Sequence, residues 1–420
     1  MKNKDIKATV TVAISNYLES GAIVAGAAGL SFWVHYLQLT EIWVGLLGAF
    51  SANGFGAALG AILSGHLIDK YGRKFIYKYD LLLYIFGMAL IIFSYNFTTL
   101  LAGYIIVGIA VGALIPAAWT YIAEEAPPEK RAARIGWSQL AWSIGPAITL
   151  FLSSILAPLG LLGNRIIFAQ LLVIAIVTWI LQQQIDESKI WKEEKRIQQK
   201  NKKPTGNQFL KDLCTLKPNI KAFGFLTGIY FFWNLVAGTM GYFMPYIYEK
   251  VGNLTNTNAN LLQAILWTLT VISTYFVFIR LGDRVDRKVL FAISGIVGIF
   301  AWIILSFGNM GVLELSLFVI FWGIAAGFSA QSFYALFASE LFHTKYRAQA
   351  QGLMFCIVRT GVGLISSIIP IMISYLGFRI SGLIMVLFLI ISLIIGILMI
   401  PQTKGKSLRD IEYERYNKNV

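Results

Sequence analysis

The chain alternates long apolar runs with short polar and charged breaks. A helix needs about 20 mostly apolar residues to cross the core of a bilayer. Twelve runs reach that length, starting near residues 8, 42, 79, 98, 134, 163, 219, 259, 288, 312, 348 and 379. They are too long, and alternate too little, for the strands of a closed barrel. The pattern predicts an all-α membrane protein with twelve transmembrane helices.

Composition agrees with a membrane protein and narrows the function classes. Hydrophobic residues make up 57% of the chain and charged residues 13%, against roughly a quarter charged in soluble domains. Two cysteines and three scattered histidines give no reason to expect a disulfide framework, a metal site or any other cofactor. The sequence has no Gly-x4-Gly-Lys-Ser/Thr phosphate loop and no nucleophile–base constellation, which disfavours ATP-driven transport and enzyme activity.

The net charge of +14 has a one-sided distribution. Of the 35 Lys and Arg residues, 31 fall in the two termini and in the connections that would share their side of the membrane. Cytoplasmic connections carry such an excess, so the termini and the central linker are expected in the cytoplasm of a cell-membrane protein. No nucleic-acid partner is needed to explain the charge.

Two charged phrases repeat about half a chain apart. The segment from Gly65 to Lys74 recurs in shortened form from Gly282 to Lys288, with four residues from Gly to Asp in both. A second set repeats with identical spacing: Glu124, Arg131 and Gly136, then Glu340, Arg347 and Gly352. The offsets of 217 and 216 residues indicate one duplication. Two related halves in a membrane chain predict a transporter that rocks about a central site.

The duplication sets the predicted domain plan. Residues 1–184 and 219–400 would each form a six-helix bundle, the two being related by pseudo-two-fold symmetry. Residues 185–218 would be a cytoplasmic linker, in which Trp191–Ile197 is typical of an amphipathic helix on the membrane surface. Residues 401–420 would be a cytoplasmic tail.

Four segments resemble the major facilitator superfamily and, within it, the sugar porter family. They are the charged phrase from Gly65 to Lys74, Tyr121–Pro127 followed by Arg131, Asp186–Trp191, and Pro401–Gly405. The resemblance covers nearly the whole chain. It implies two six-helix bundles, alternating access and secondary transport of a sugar-like molecule, often with a proton.

Departures from the sugar porter pattern bear on the substrate. Phe232 and Trp233 stand where hexose carriers show Gln-Gln, and Gly238 replaces a sugar-binding Asn. Ser332–Ala335 replaces the family's Pro-x-Pro-Trp, whereas Gln139 matches a Gln that contacts sugar in the family. The resemblance therefore favours a sugar-like metabolite, such as a polyol or sugar acid, over a hexose such as glucose.

Glu19 lies in the middle of the first predicted span. An ionised carboxylate in hydrocarbon must face water or a partner, or take up a proton. The family resemblance implies a proton-coupling role, although the Arg expected in helix four is Tyr104 here. The alternative is a structural Glu that is hydrogen bonded to Ser or to the backbone.

Arg359 is the second charge predicted inside the membrane. It lies 12 residues beyond Arg347, just as Glu19 lies 12 residues beyond Lys7. Both are therefore about 18 Å from the cytoplasmic surface, at the 1.5 Å rise of a helix. A guanidinium suits a carboxylate, which could belong to Glu19 or to an acidic substrate. A structural ion pair and a substrate-binding Arg are both open alternatives.

Polar and aromatic residues in spans four, five, seven, ten and eleven form a candidate substrate cavity. Rings stack on the C–H faces of sugars and amides bond hydroxyls, although aromatic residues also simply pack helices. The candidates are Trp119, Gln139, Trp142, Trp233, Asn234, Gln331, Tyr334 and Arg359.

The repeated charged phrases predict a cytoplasmic gate made of two ion-pair clusters. The first comprises Asp69, Arg73, Glu124 and Arg131, and the second comprises Asp286, Arg287, Glu340 and Arg347. Such pairs would favour the outward-open state and break when the halves rock apart. Loop anchoring and topology explain the same charges, and the two interpretations are compatible.

Taken together, the sequence predicts a secondary transporter that is expected to be a monomer and whose partners are a small molecule, protons and the lipid bilayer. A proton symporter of a sugar-like metabolite is the leading hypothesis. Proton-coupled uptake of an organic anion through Arg359 is the alternative. A non-transporting nutrient sensor is disfavoured because only a short segment follows Pro401.

Overall fold

A computed structural model describes residues 3–125, 128–183, 187, 191–193, 195–196, 208–343 and 347–416. Within these ranges the chain forms helices, turns and bends and contains no β-strand. The helices carry exposed Leu, Ile, Val and Phe side chains, for example Phe86, Phe151, Ile303 and Leu387. An apolar exterior of this kind is expected where lipid takes the place of water.

Eight α-helices make up the first half of the chain. Their bounds are α1 Asn3–Ala28, α2 Leu30–Leu37, α3 Glu41–Ala49, α4 Phe55–Tyr71, α5 Arg73–Ile92, α6 Phe97–Glu125, α7 Arg131–Leu156 and α8 Leu161–Gln182. Only a short break separates α1 from α2, and another separates α3 from α4. The first pair is bent by 50° at Gly29, where any side chain would collide with Asn164.

A further eight α-helices make up the rest of the described chain. Their bounds are α9 Gln208–Thr215, α10 Lys217–Lys250, α11 Asn256–Ser273, α12 Arg287–Phe307, α13 Val312–Ala326, α14 Ala330–Glu340, α15 Arg347–Met399 and α16 Leu408–Tyr416. A π-helical turn, Thr274–Ile279, continues α11. The 53-residue α15 changes direction at Gly377, whose φ of 77° is rarely adopted by residues with a Cβ.

Nine of the described helices are long and apolar enough to cross a membrane, and the bent pair α1–α2 raises the number to ten. The α3–α4 pair and the break in α15 at Gly377 supply further apolar segments. This arrangement is consistent with the twelve predicted spans, and the helix starts lie close to the predicted ones. The predicted linker helix Trp191–Ile197 is helical at residues 191–193 and 195–196, and its remainder lies outside the described residues.

The two halves meet closely at the charged end, which we define as the end of the bundle that contains Asp69, Arg131, Asp283 and Glu340. A Cβ added to Gly352 would lie 2.4 Å from the backbone oxygen of Ala61 in the other half. Its repeat partner Gly136 packs against Phe278 and Ile279. The second repeated set therefore places a glycine at each of two equivalent crossings, where backbones approach closely.

The halves also touch at the opposite end, which we define by Ser31, Glu249 and Asn256. The Ser31 hydroxyl donates to Glu249 Oε1 at 3.2 Å, and Asn256 Nδ2 donates to the Ala28 carbonyl at 3.1 Å. Both bonds join the first half to the second. Since contacts between the halves cross both ends, the structure is occluded, with a cavity between the two closures.

Candidate substrate cavity and charged end

A cavity lies between the halves, with about 580 Å³ of space when any part open to the outside is counted, and most of its wall comes from α10, α11, α13 and α14. An adjoining cavity, about 390 Å³ counted in the same way, extends toward α1 and α15. The two share a wall that includes Trp142, Trp233, Trp267 and Gln331. Amide and indole groups dominate the polar lining, and Arg359 is the charged residue among those that line these two cavities.

Six of the eight predicted substrate-binding residues line these cavities. They are Gln139, Trp142, Trp233, Asn234, Gln331 and Arg359. Trp119 and Tyr334 line neither of the two. They pack edge to face with ring centroids 5.7 Å apart, and Tyr334 stacks on Tyr230 at 4.3 Å. Both rings thus lie in a buried aromatic cluster, and their predicted contact with substrate stays a prediction.

A hydrogen bond between the halves crosses the cavity. Gln331 Nε2 donates to Gln139 Oε1 at 3.0 Å. Both side chains are buried, so the bond satisfies one group on each amide while the halves are closed. A substrate hydroxyl that bonded to Gln331 Nε2 or Gln139 Oε1 would compete with this bond.

Glu19 and Arg359 form a buried ion pair beside the cavity. Arg359 Nη2 lies 3.7 Å from Glu19 Oε1, and both side chains are almost fully shielded from solvent. The separation exceeds a hydrogen bond, and Glu19 Oε1 has no hydrogen-bond partner. The guanidinium also lies over the Phe355 ring, 4.4 Å from its centroid. The pair is thus held by charge attraction without a bidentate hydrogen bond, and the cation–π contact with Phe355 orients the guanidinium.

In the fourth predicted span, which is α6 in the structure, the position that the family fills with Arg is occupied by buried Tyr104. Tyr104 packs edge to face with Phe168, and the cation at Glu19 comes from the second half of the chain instead. The sequence predicted this pairing only because Glu19 and Arg359 are expected at the same depth in the membrane. Their contact makes an ion pair that spans the two halves.

Glu340 is the centre of the charged end. It accepts hydrogen bonds from Arg131 Nη1 at 3.1 Å, Arg287 Nη1 at 3.0 Å and the Thr403 hydroxyl at 2.5 Å. Arg131 belongs to the first half and the other three residues to the second. Arg131 also donates to the carbonyl oxygen of Lys406 in the C-terminal segment. Arg131 of the first predicted cluster and Arg287 and Glu340 of the second therefore form one cluster that joins the halves.

Two aspartates cap helices of the opposite half in matching ways. Asp69 Oδ2 accepts from the backbone N–H of Gln349, at the start of α15. Asp283 accepts from the N–H groups of Ala132 and Ala133, at the start of α7. A carboxylate at a helix N-terminus is stabilised by the free N–H groups and the helix dipole. Each cap therefore fastens one half to the other.

Asp283, and not Asp286, is the counterpart of Asp69. Asp286 instead caps its own helix α12 by accepting from the N–H groups of Lys288 and Val289. The side-chain amide of Gln402, together with those N–H groups, holds the pKa of Asp286 below its ordinary value. The prediction matched the two phrases by the distance from their glycines, which pairs Asp69 with Asp286, and this pairing was wrong. Matching them by the distance to the Arg-Lys pair that ends each phrase pairs Asp69 with Asp283.

The remaining predicted gate residues have mixed positions. Arg73 and Glu124 lie in helices, but their side chains are outside the part of the chain that the structure describes. Arg347 is buried at the start of α15 and donates to the Phe342 carbonyl. From the linker, Glu187 accepts from the N–H of Lys74 at 3.0 Å, so the first turn of α5 is held as well.

Sequence reasoning missed several residues that take part in these sites. Asp283 and Thr403 bind at the charged end, and Gln263, Trp267 and Trp302 line the larger cavity. An alignment of the repeated phrases from their Arg-Lys ends would have found Asp283. Gln263 and Trp267 could have been predicted to line the cavity. They are a polar and an aromatic residue four apart in a span, and this spacing places them on one face of a helix.

Comparison with known proteins decides the family. A family model described as Major Facilitator Superfamily matches residues 9–357 and, in a second overlapping match, residues 226–420. The chain belongs to the Major Facilitator Superfamily. It is therefore a multi-pass membrane transporter and not an enzyme.

Relatives of this superfamily member include carriers of small polar molecules. It is 44% identical over 412 residues to the "Minor myo-inositol transporter IolF" of Bacillus subtilis, with 98% of this chain and 94% of the relative covered. It is 26% identical over 403 residues to the "Glucose transporter GlcP" of Staphylococcus epidermidis, with 86% of each covered.

A solved structure supports the fold independently. The proton:xylose symporter XylE bound to 6-bromo-6-deoxy-D-glucose superposes with a TM-score of 0.82 at 18% identity, covering 98% of this chain and 99% of that one. The protein therefore has the major facilitator fold, of the sugar porter type predicted from its motifs.

Proposed function

We propose that the protein is a proton-coupled symporter that carries a cyclic polyol or a related sugar across the cell membrane by alternating access. The observation that carries the proposal is the Glu19–Arg359 pair beside a cavity lined otherwise by neutral polar and aromatic groups. Such a site has one group that can take up a proton and a separate surface that can take up a neutral substrate.

The substrate class follows from the chemistry of the lining. Amide side chains both donate to and accept from hydroxyls, and indole rings stack on C–H faces. While Glu19 is ionised it balances Arg359, so in that state the pair has no net positive charge that would favour an anion. The relative at 44% identity is named a myo-inositol transporter, and a cyclitol is a ring of hydroxyl-bearing carbons. We therefore place a cyclic polyol ahead of a hexose.

Proton coupling is supported by the geometry of the pair. The Glu19 carboxylate is buried with one cation 3.7 Å away and an oxygen without a hydrogen bond. A proton on Glu19 would remove the charge attraction that joins α1 to α15, while Arg359 would keep its contact with Phe355. Uptake or release of a proton would thereby change the contacts between the halves, as a coupled carrier requires.

Orientation is supported by the charge distribution. The charged end and the C-terminal segment carry the Lys and Arg excess that is typical of the cytoplasmic face. In the proposed cycle the charged end opens to the cytoplasm and the opposite end opens to the exterior. The cluster around Glu340 would then have to break for substrate release.

Transport by the purified protein in liposomes tests this function. We expect radiolabelled myo-inositol to accumulate when the exterior is acidic, and to equilibrate without accumulation when the pH gradient is collapsed. Glu19→Gln should abolish accumulation but retain exchange of labelled for unlabelled substrate. The matched control is Glu129→Gln, an exposed residue of the loop before α7, which should behave as the wild type. Full accumulation by Glu19→Gln would contradict the coupling role.

An organic anion is the second candidate, because Arg359 itself lines the smaller cavity. The same liposomes should therefore be offered sugar acids beside neutral polyols and sugars. Accumulation of a sugar acid with no uptake of neutral polyols would favour this candidate over the first.

A further inference from the structure

The larger cavity has a polar surface on α11 and α12 that lies away from the ion pair. Gln263 and Trp267 are four residues apart on α11, and Trp302 on α12 lines the same space. Trp267 also belongs to the wall shared with the smaller cavity, which Arg359 lines. Gln263 and Trp302 line only the larger of the two cavities. They thus extend the site toward the interior of the second half.

Three polar atoms on this surface have no hydrogen-bond partner. They are Gln263 Oε1, Trp267 Nε1 and Trp302 Nε1. An unsatisfied buried donor or acceptor destabilises a protein, so such atoms are expected to meet a ligand or water. Nearby hydroxyls differ in this respect: Thr270 donates to the Gly323 carbonyl and Thr274 to the Gly327 carbonyl. The unpartnered atoms are therefore a specific subset of the lining.

The indole rings are held in fixed orientations. Trp267 packs edge to face on Trp142 of the first half, with ring centroids 5.3 Å apart. Trp302 packs edge to face on Trp322 and Phe318. Because ring contacts restrain both indoles, their N–H groups need little reordering when a ligand binds, which favours affinity.

We propose that Gln263, Trp267 and Trp302 form a subsite for the hydroxyl groups on the far edge of a cyclic polyol, opposite Glu19 and Arg359. A hydroxyl accepts from an indole N–H and donates to an amide oxygen, so a polyol can satisfy all three atoms. A carboxylate accepts but cannot donate, and it would meet Gln263 Oε1 with a second acceptor. The subsite therefore selects neutral polyhydroxy rings. This inference rests on the proposed function and deepens it.

The test measures half-saturation for radiolabelled myo-inositol uptake into liposomes by full-length protein. Trp267→Phe and Trp302→Phe each remove an N–H and keep a ring, and Gln263→Leu removes the amide. We expect each to raise the half-saturation concentration about five- to tenfold, as loss of one hydrogen bond predicts. Proton-driven accumulation at saturating substrate should be retained, because Glu19 and Arg359 are unchanged.

Controls separate this subsite from folding and from the wider proposal. Trp137→Phe makes the same change at an exposed ring outside both cavities and should leave half-saturation unchanged. Gln263→Asn keeps the amide and serves if Gln263→Leu does not fold. A deoxy-inositol that lacks the hydroxyl contacted by one of these side chains should bind the wild type less tightly than myo-inositol does. It should bind the variant of that side chain no more weakly, because the hydrogen bond is already missing. Wild-type half-saturation in all three variants would overturn the subsite alone, whereas no uptake of any polyol by the wild type would overturn the proposed function.

Discussion

At the scale of single residues, the two charges inside the membrane are the most informative. Their cost in hydrocarbon makes Glu19 and Arg359 visible in the sequence, and equal depth predicted that they could meet. The structure places them 3.7 Å apart. Phe355, four residues before Arg359 on the same helix, lies under the guanidinium, a contact that helical spacing could have predicted. What the sequence could not provide is the absence of a hydrogen bond to Glu19 Oε1, because that depends on how the halves pack.

Replacement of Arg359 by Gln should separate a coupling role from an anion-binding role. Without the cation, a proton on Glu19 would no longer change an attraction between α1 and α15, so proton uptake could not alter the contact between the halves. We expect exchange of neutral polyol to persist and gradient-driven accumulation to fall to the equilibrium level. Uptake assays in liposomes measure both.

A matched control for this change lies on the same helix. Arg379→Gln alters an exposed Arg beyond Gly377 that stacks on Phe307, and it should accumulate substrate normally. If Arg359→Gln instead lost affinity for a transported sugar acid, Arg359 would be a substrate ligand and the polyol hypothesis would fail.

At the scale of elements, the repeated phrases predicted which segments meet but not which atoms. Gly136 and Gly352 lie at equivalent crossings, as the common offset implies. The capping aspartates are less regular, since Asp69 lies four residues beyond its glycine and Asp283 only one. A cap is selected by the helix N-terminus that it faces, and that helix belongs to the other half. Spacing within one phrase therefore cannot identify it.

Asp283→Ala should weaken the closure of the charged end. It removes a helix cap worth about 1 kcal/mol that joins the halves, which corresponds to roughly a fivefold shift toward the state open at that end. Ser339→Cys, at a buried position next to Glu340, can report the opening by its rate of maleimide labelling after Cys214 and Cys356 are replaced. Asp286→Ala is the control, because that cap lies within one half. Equal labelling of the two variants would argue against a closure by Asp283.

At the scale of the whole molecule, the two closures differ in chemistry. The charged end is held by Arg–carboxylate bonds and helix caps, whereas the opposite end is held by Ser31, Asn256 and Glu249. The sequence showed only the first, because repeated charges stand out in an apolar chain. Single polar residues near helix ends carry no pattern by which the second closure could be recognised.

If the halves alternate, loosening one end must reduce opening at the other. Asn256→Ala removes hydrogen bonds to the Ala28 carbonyl and to Ser31, so it should favour the state open at the opposite end. Added to Asp283→Ala, it should therefore lower the labelling of Ser339→Cys toward the rate in the parent protein. The populations compete because one rigid-body motion closes one end as it opens the other. Labelling that rose further in the double variant would mean that the two ends open independently, and such a molecule could leak substrate and protons instead of coupling them.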